Sequence, residues 1–450
     1  MSLRVAVIGA GPAGIYASDL LIRNEEHDVH VDLFEQMPAP FGLIRYGVAP
    51  DHPRIKGIVN PLHRVMDKPE LRLLGNIEVG KDITIDDLRN YYDAIVISTG
   101  AVRDRELLIP GGDASIGAGE FVGFYDGNPR FERSWNLDAR EVAVVGVGNV
   151  ALDIARILAK TGDELLVTEI PDNVYESLKN NKAEVVHMFG RRGPAQAKFT
   201  PKELRELDLS DTIQVLVDPE DIDYDEQSEE VRRADKSIDL NCQVLEQYAM
   251  REPDDSPHKI RIHFFEEPVE VLRDGDAIVG IRTERQELDG KGGIRGTGTF
   301  TDWPVQQVYH AVGYRSEPVE GVPFDPQRNV IPNDGGHVMD GSEFADSLYV
   351  TGWIKRGPVG LIGNTKSDAK ETTDMLFADA EAGKLNTPKF DDPDAILRLL
   401  EERGIRYTTW DGWYELDKAE RALGEACELN PRERKKIVEW EDMVRHSRGE

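Results

Sequence analysis

The stretch VAVIGAGPAG, residues 5–14, decides the fold of this chain. Its apolar half, residues 5–8, predicts a buried strand, and the apolar positions that recur over residues 15–22 predict a helix directly after the glycines. A second apolar run, residues 29–34, predicts another strand, which ends at Glu35. Strand, glycine turn, helix and strand in this order form one βαβ unit, the start of a parallel sheet.

The glycines of this turn, Gly9, Gly11 and Gly14, have the G-x-G-x-x-G spacing of dinucleotide-binding turns. In such a turn the first glycine permits the tight bend, the second lets the backbone approach a pyrophosphate, and the third lets the helix pack closely on the strand. Glu35, about 20 residues further on, is placed to accept hydrogen bonds from ribose hydroxyls and would repel a 2′-phosphate. The pattern favours FAD or NAD over NADP, and the alternative is a structural turn without a ligand.

The same pattern returns at GVGNVA, residues 146–151. Here the following strand, predicted at residues 185–189, leads to Arg191 and Arg192 instead of an acid. Paired guanidiniums offer a 2′-phosphate bidentate hydrogen bonds and permanent positive charge, so this second turn favours NADP. The interval before the arginines is about twice the usual length, which a polar insertion at residues 161–183 would explain. A solvated basic pair is the alternative.

Two turns with opposite charge at the ribose position imply an enclosed flavin and an exchangeable nicotinamide, between which a hydride moves. This chemistry depends on ring positioning more than on acid–base groups. The glycine-rich residues 352–363 around Trp353 would let backbone lie against the flavin, and a helix is predicted from near Gly363; a core loop is the alternative. For His52 two interpretations stay open, a surface loop histidine or a proton relay beside a flavin.

Composition narrows the class of protein. The 450 residues predict two or three domains, and a formal charge of −30 disfavours nucleic acid and anionic membranes as partners. The sequence has no apolar run of the ~20 residues needed to span a bilayer and no secretion leader, so we expect a cytoplasmic protein. The two cysteines, Cys242 and Cys427, are far apart and outside any C-x-x-C pair, so no disulfide framework, iron–sulfur cluster or metal site is predicted.

Several longer stretches resemble a known family, the adrenodoxin reductase type of ferredoxin–NADP reductase, including its actinobacterial members. They are PFGLIRYGVAPDHP at residues 40–53, GNVALDIARIL at 148–158, RRGP at 191–194, FT-x-KELREL at 199–207, and GW at 352–353 with GP-x-G-x-IGN at 357–364. The resemblance runs from the N-terminus to the tryptophan cluster near residue 413, which is nearly the whole chain.

The resemblance implies an α/β fold of two Rossmann-like dinucleotide-binding domains in the glutathione-reductase-like architecture, with the NADP domain inserted in the FAD domain. Residues 1–105 and 335–450 would form the FAD domain and residues 106–334 the NADP domain. Besides the first three glycines, the implied FAD contacts are Ala13, Glu35, Leu43, Val79, Trp353, Gly360, Leu361 and Ile362. The implied NADP contacts are Val147, Gly148, Asn149, Val150, Arg191, Arg192, Glu203 and Gly360.

The resemblance also implies a reaction in which NADPH gives a hydride to FAD and single electrons pass on to a ferredoxin or a similar small iron–sulfur or flavin carrier. His52 and Asp153 match a pair that the family places near the flavin, where it is suggested to couple proton movement to electron transfer. The chain departs from the mammalian members in the docking region. Their dense basic helix is reduced here to Arg232, Arg233 and Lys236 among many acids.

Other cations near this region, Lys198, Lys202 and Arg205, would contribute to a docking patch. Two alternative functions stay open. One is an NADPH diaphorase or oxidase without a dedicated protein acceptor, which the weak basic region favours, and the other is a non-catalytic NADPH-sensing flavoprotein. The absence of cysteine motifs disfavours a glutamate-synthase-like subunit and a thioredoxin-reductase-like enzyme.

Overall fold

The computed structural model describes residues 2–291, 293–360, 362–428 and 430–450, except for the side chains of residues 53, 54 and 362. The chain forms two compact units. Unit 1 comprises residues 1–103, 126–129 and 314–450, and unit 2 comprises residues 104–125 and 130–313. Among the described residues no helix has the length and apolarity that a membrane span requires.

The described residues form eighteen strands, which are numbered in chain order. They are β1 Ser2–Ile8, β2 Asp28–Glu35, β3 Leu71–Gly75, β4 Ala94–Ile97, β5 Arg103–Asp104, β6 Ile116–Gly117, β7 Glu141–Val145, β8 Val185–Gly190, β9 Ile213–Val217, β10 His258–Phe264, β11 Glu266–Asp274, β12 Ala277–Leu288, β13 Ile294–Trp303, β14 Gln307–His310, β15 Tyr314–Arg315, β16 Asn333–Asp334, β17 His337–Asp340 and β18 Glu343–Val350.

The α-helices are numbered in the same way. They are α1 Pro12–Ile22, α2 Leu43–Tyr46, α3 Pro53–Lys56, α4 Val59–Met66, α5 Ile85–Arg89, α6 Ala118–Tyr125, α7 Asn149–Ala159, α8 Asp172–Lys179, α9 Pro201–Glu206, α10 Glu226–Ala234, α11 Lys236–Ala249, α12 Trp353–Arg356, α13 Ile362–Glu381, α14 Ala395–Glu402, α15 Trp410–Glu425 and α16 Trp440–Arg448.

The sheet of unit 1 has seven strands in the order β16-β17-β18-β4-β1-β2-β3. The five strands from β18 to β3 are parallel, and β16 and β17 extend the sheet antiparallel at one edge. Successive residues of β1 enter different cores, with Val5 and Val7 in one cluster and Ala6 and Ile8 in another. Burial on both faces explains why the strand is an unbroken apolar run and does not alternate with polar residues.

The main sheet of unit 2 has six parallel strands in the order β6-β14-β7-β8-β10-β9. A separate antiparallel sheet, β11-β12-β13, contributes to the same core, where Phe189 of β8 lies in one apolar cluster with Val271 and Ile281. The two parallel sheets, each opened by a glycine turn and a helix, confirm the predicted α/β fold with two Rossmann-like units. Within this sheet, β12 and β13 pair as antiparallel neighbours.

One expectation about the chain's organisation differs from the structure. The second unit boundary falls at residues 313/314 and not at the expected 334/335, because Val319 and Ile331 pack into the core of unit 1. The tryptophan cluster near residue 413 lies at the start of α15, which Thr409 caps by accepting the N–H of Gly412. Which cofactor each part of the chain binds stays a prediction.

Candidate functional site

In the first glycine turn, which belongs to unit 1, two of the glycines lie so close to neighbouring backbone that a side chain would clash there. Gly9 has φ +106°, its N–H donates to the carbonyl of Phe34 at 2.7 Å, and a Cβ there would lie 2.6 Å from the carbonyl oxygen of Ser98. A Cβ on Gly14 would lie 2.0 Å from the carbonyl oxygen of Gly9. The helix therefore packs on the strand more closely than any side chain allows, as expected for the first and third positions of this motif.

Gly11 differs from its neighbours because a Cβ there would meet no described atom within 4 Å. It is the N-cap of α1, and no described side chain caps this helix end. The N–H groups of Ala13 and Gly14 in the first turn have no intrahelical acceptor by their position. Open space beside a helix N-terminus with unpaired donors suits a phosphate group.

Glu35 lies at the end of β2 and is only 6% exposed. One carboxylate oxygen accepts the N–H of Ala10 at 2.8 Å and the other accepts the N–H of Met37 at 2.9 Å. These two bonds fix the carboxylate beside the glycine turn. The position is the one expected of an acid that binds a ribose, and its negative charge opposes a 2′-phosphate there.

The glycine-rich segment near residue 352 lies against the same helix end. Gly352 has φ +79°, and a Cβ there would lie 2.7 Å from the Cβ of Ala13. The carboxylate of Asp368 on α13 fixes the segment by accepting the N–H of Gly352 and the hydroxyl of Thr351, the latter at 3.0 Å. The next residue, Trp353, is therefore held near the first turn of α1.

The remaining residues expected at the flavin occupy three other places. Leu43 begins α2 directly after Gly42, whose Cβ position lies 3.2 Å from the Cα of Gly11. Val79 is half-buried and pairs with Ile83 in an isolated β-bridge. Gly360 has φ +89°. Leu361 and the side chain of Ile362 lie outside the described residues.

His52 is 3% exposed, so the interpretation as a surface loop histidine is wrong. Its backbone carbonyl accepts the N–H groups of Ile55 and Lys56 at 3.1 Å and thereby holds the start of α3. His52 belongs to unit 1, whereas Asp153 lies on α7 of unit 2, half-buried and paired with Arg156 at 3.0 Å. A partnership between His52 and Asp153 stays a prediction.

A buried ion pair holds α2, the short helix that begins at Leu43. Both terminal guanidinium nitrogens of Arg45 donate to the carboxylate of Glu420 on α15, one of them at 3.1 Å, and the side chains of Arg45 and Glu420 are 5% and 0% exposed. Burial lowers the pKa of Arg45, but the carboxylate of Glu420 outweighs that effect and raises the pKa well above its usual value. The Nζ of Lys436 donates to the carbonyl of Arg45 at 2.7 Å. Sequence patterns missed this network because its members are about 375 residues apart in sequence.

The glycine turn of unit 2 repeats the geometry of the first. Gly146 has φ +134°, and its N–H donates to the carbonyl of Phe189 at 3.0 Å. A Cβ at this position would clash, because it would lie 2.7 Å from the carbonyl oxygen of Ala311. Gly148 is the N-cap of α7, and a Cβ there would meet no described atom within 4 Å. Ala151 takes the third position and is fully buried. This turn therefore also leaves open space at a helix N-terminus.

A second segment, residues 198–200, is bonded to this turn. The carbonyl of Val147 accepts the N–H of Lys198 at 2.9 Å, and the side-chain oxygen of Asn149 accepts the N–H of Thr200 at 2.8 Å. Thr200 then caps α9, which carries Glu203. Glu203 is 6% exposed, and its buried Oε2 has no hydrogen-bond partner among the described residues. An unsatisfied buried carboxylate oxygen is costly and suits a ligand that brings a donor.

The side chains of Arg191 and Arg192 are exposed beyond the end of β8. A nitrogen of Arg191 lies 3.7 Å from a carboxylate oxygen of Glu267. The carbonyl of Arg192 accepts the N–H of Phe265, a residue held at φ +56°. The backbone of this loop is thus bound to β10 and β11 while both guanidiniums remain accessible to a ligand.

Phe265 is a supporting residue that sequence patterns missed. A Cβ on Gly193 would lie 2.5 Å from the Cζ of Phe265, so the ring lies directly on the loop of the two arginines. The carbonyl of Phe265 accepts the N–H of Gln286 at 2.7 Å, and Arg285 lies over its ring at 5.4 Å. Because the left-handed conformation of a phenylalanine depends on these non-local contacts, no local signal announces it.

Comparison with known proteins agrees with this geometry. A model of the pyridine nucleotide-disulphide oxidoreductase family matches residues 3–192. NADPH-ferredoxin reductase FprA of Mycobacterium leprae is 38% identical over 99% of this chain and 98% of the relative. The mitochondrial NADPH:adrenodoxin oxidoreductase of Arabidopsis thaliana is 36% identical over 98% of this chain and 95% of the relative. The solved structure of Mycobacterium tuberculosis FprA in complex with NADPH has a TM-score of 0.92 at 37% identity and covers 100% of both chains.

Proposed function

The chain belongs to the adrenodoxin reductase-type family of NADPH–ferredoxin reductases, and from this membership we propose that it uses NADPH to reduce a bound FAD and passes the electrons to a ferredoxin-type carrier. The observation that carries the proposal is the contrast between the two glycine turns. A fixed carboxylate, Glu35, lies beside the first turn, whereas Arg191 and Arg192 follow the strand next to the second. One pocket rejects a 2′-phosphate and the other attracts it.

In this proposal unit 1 binds FAD and unit 2 binds NADPH. Bound FAD would supply an acceptor for a hydride and a donor of single electrons. The first turn of α1 binds the pyrophosphate, Glu35 binds the ribose, and the segment of Gly352 and Trp353 lines the ring. The further FAD contacts are Leu43, Val79, Gly360, Leu361 and Ile362.

NADPH is bound by the second turn, with its 2′-phosphate on Arg191 and Arg192. Residues 147–150 hold the pyrophosphate, Glu203 and Gly360 complete the contacts, and the unsatisfied oxygen of Glu203 supports this assignment. His52 and Asp153 are proposed to couple proton movement to electron transfer, and the burial of His52 favours that role. We place the protein in the cytoplasm, which the two scattered cysteines favour.

The acceptor is proposed to be a small iron–sulfur protein, but two of the six expected docking cations, Arg232 and Lys202, already contact carboxylates. Arg232 contacts the carboxylates of Glu229, Asp239 and Glu246 within 3.5 Å, and Lys202 lies 3.6 Å from Glu206. These pairs reduce the positive charge that an acidic carrier would meet. This observation favours one alternative, an NADPH diaphorase or oxidase without a dedicated protein acceptor.

We expect the purified protein to be yellow and to bleach far faster with anaerobic NADPH than with NADH. The reason is that only NADPH has the 2′-phosphate for which the paired arginines are suited. Stopped-flow absorbance of the flavin band measures both rates. No bleaching by either nucleotide would favour a non-catalytic NADPH sensor. Bleaching without reduction of any ferredoxin from the same cell would favour the diaphorase.

The substitution Gly11→Ala is expected to weaken FAD binding by about 5- to 150-fold while the apoprotein keeps its melting temperature. The backbone at Gly11, with φ −79° and ψ −179°, suits alanine, and the new methyl group meets no described atom of the protein. It would instead occupy the space proposed for the pyrophosphate, and overpacking of this kind costs about 1–3 kcal/mol. Titration of the apoprotein with FAD, followed by flavin fluorescence, measures the change.

The matched substitution in unit 2, Gly148→Ala, serves as the control. Its Cβ also enters open space, so it is expected to weaken NADPH binding and to leave the flavin in place. If Gly11→Ala kept full FAD affinity, or if both variants lost the same nucleotide, the assignment of FAD to unit 1 and NADPH to unit 2 would be wrong.

A further inference from the structure

Two acids and a histidine of unit 2 meet at the carboxyl ends of neighbouring strands. Asp218 and Asp221 follow β9, and His263 is the penultimate residue of β10, which runs parallel to β9 with Val217 opposite Ile262. One side-chain atom from each of the three lies within 4.8 Å of the others. His263 is 2% exposed and Asp221 3% exposed.

A hydrogen-bond chain fixes which nitrogen of His263 carries its proton. The Nε2 of His187 lies 3.2 Å from the Oε2 of Glu141, and the Nδ1 of His187 lies 2.9 Å from the Nε2 of His263. A carboxylate only accepts, so with neutral rings His187 donates from Nε2 and accepts at Nδ1 from His263. The Nδ1 of His263 is then a bare lone pair.

This lone pair faces another acceptor. The Oδ2 of Asp218 lies 3.7 Å from the Nδ1 of His263, which is too far for a hydrogen bond. Two acceptors face each other unfavourably unless a cation lies between them. Ligands bound at about 2.1 Å in tetrahedral geometry lie roughly 3.4 Å apart, close to the observed separation.

The charges of the cluster also call for a cation. Four carboxylates lie in or next to this chain of contacts, those of Asp218, Asp221, Glu141 and Glu266. Two arginines lie among them: Arg285 is bonded to Asp221 and Glu266, and Arg261 interacts with Asp218. The formal balance is two negative charges, which one divalent ion would neutralise. Each oxygen of Asp221 accepts one hydrogen bond, from Arg285 and from the N–H of Phe264, and keeps a second lone pair for a metal.

We propose that Asp218, Asp221 and His263 bind a divalent transition-metal ion, with Zn²⁺ as the best match to one imidazole and two carboxylates. His187 and Glu141 orient the imidazole, in the way that outer hydrogen-bond partners commonly support metal-binding histidines. The ion would join the ends of β9 and β10. This site is independent of the nucleotide chemistry and would persist if the proposed reaction were different.

The test is a calorimetric titration of tag-free, chelator-treated holoenzyme with Zn²⁺, in excess Mg²⁺ to occupy exposed acids. We expect saturation with one ion at the site. The variants H263Q and D218N should each lose this binding by at least about 100-fold, because loss of a ligand should cost more than the about 10–100-fold that loss of an outer partner costs. E141A, which removes only the acceptor that orients His187, should weaken it by about 10–100-fold.

A surface group provides the matched control. Glu26, His27 and Glu381 of unit 1 also present three ligand atoms within 4.8 Å, but two of them are exposed. H27Q should leave the saturable binding unchanged. The proposal would be overturned if the wild-type protein showed no saturable Zn²⁺ binding, if D218N bound Zn²⁺ with wild-type affinity, or if H27Q lost the binding. The side chain of Asp218 is 54% exposed, so D218N is expected to fold normally. Nitrogen-15 NMR that showed both nitrogens of His263 protonated in the presence of Zn²⁺ would also overturn it, because the cation would then be a proton.

Discussion

The double substitution Arg191→Ala with Arg192→Ala is expected to raise the Michaelis constant for NADPH by about 100-fold. Hydrogen bonds to charged groups contribute about 1.5–3 kcal/mol each, and both side chains are exposed, so the lower figure applies to each arginine. The turnover number at saturating NADPH should change little, because the lost contacts bind the 2′-phosphate equally in the ground state and the transition state. Steady-state kinetics with an artificial electron acceptor measure both constants.

NADH provides the internal control for this prediction. It lacks the 2′-phosphate, so its Michaelis constant should stay within about twofold, and the preference for NADPH should shrink accordingly. Arg295→Ala removes another exposed arginine of unit 2, one that pairs with Glu287, and should change neither constant. An unchanged Michaelis constant for NADPH in the double variant would show that these arginines do not bind the phosphate. Equal loss for both nucleotides would show damage to the whole pocket.

The glycine turns could be predicted from sequence because their geometry is local. The bend at Gly9 and the close approach at Gly14 each require a residue without a side chain, and glycine is the only such residue. The apolar runs before the turns are equally informative, because strands buried on both faces of a parallel sheet leave little room for polar residues. The residue type at the end of the strand that follows each turn, an acid in one unit and arginine in the other, is also a local feature. It too can therefore be recognised from the sequence.

Features that depend on distant partners could not be predicted in this way. Phe265 supports the arginine loop only because β10 and β11 bring it there, and Asp218 and His263 meet only because β9 and β10 are neighbours. No metal site was predicted since the acids and the histidine lie more than 40 residues apart without a spacing motif. The unit boundary was placed too late for a similar reason, because Val319 joins the core of unit 1 through contacts made far along the chain.

The substitution Glu420→Gln is expected to lower the free energy of unfolding by about 3–5 kcal/mol, the cost of leaving a buried charge unpaired. Glutamine has nearly the same shape and keeps an oxygen that accepts the N–H of Ile437, so the loss reports the missing charge opposite Arg45. Urea unfolding followed by circular dichroism measures the change. FAD should also be released at a lower urea concentration than in the wild type, because the pair holds α2, which carries Leu43.

Two further variants separate this ion pair from general damage to α15. Glu415→Gln lies on the same helix, where its exposed side chain contacts Lys418 at 3.6 Å, and should change stability by less than about 0.5 kcal/mol. Arg45→Met combined with Glu420→Gln removes both charges but keeps the oxygen that accepts the N–H of Ile437, and it should recover most of the loss, since uncharged residues of similar volume often replace a buried pair without cost. If the double variant were as unstable as Glu420→Gln, the shape of the site and not its charge balance would hold α2. If it regained stability but still released FAD early, the charges of the pair would be acting on the flavin site beyond holding α2 in place.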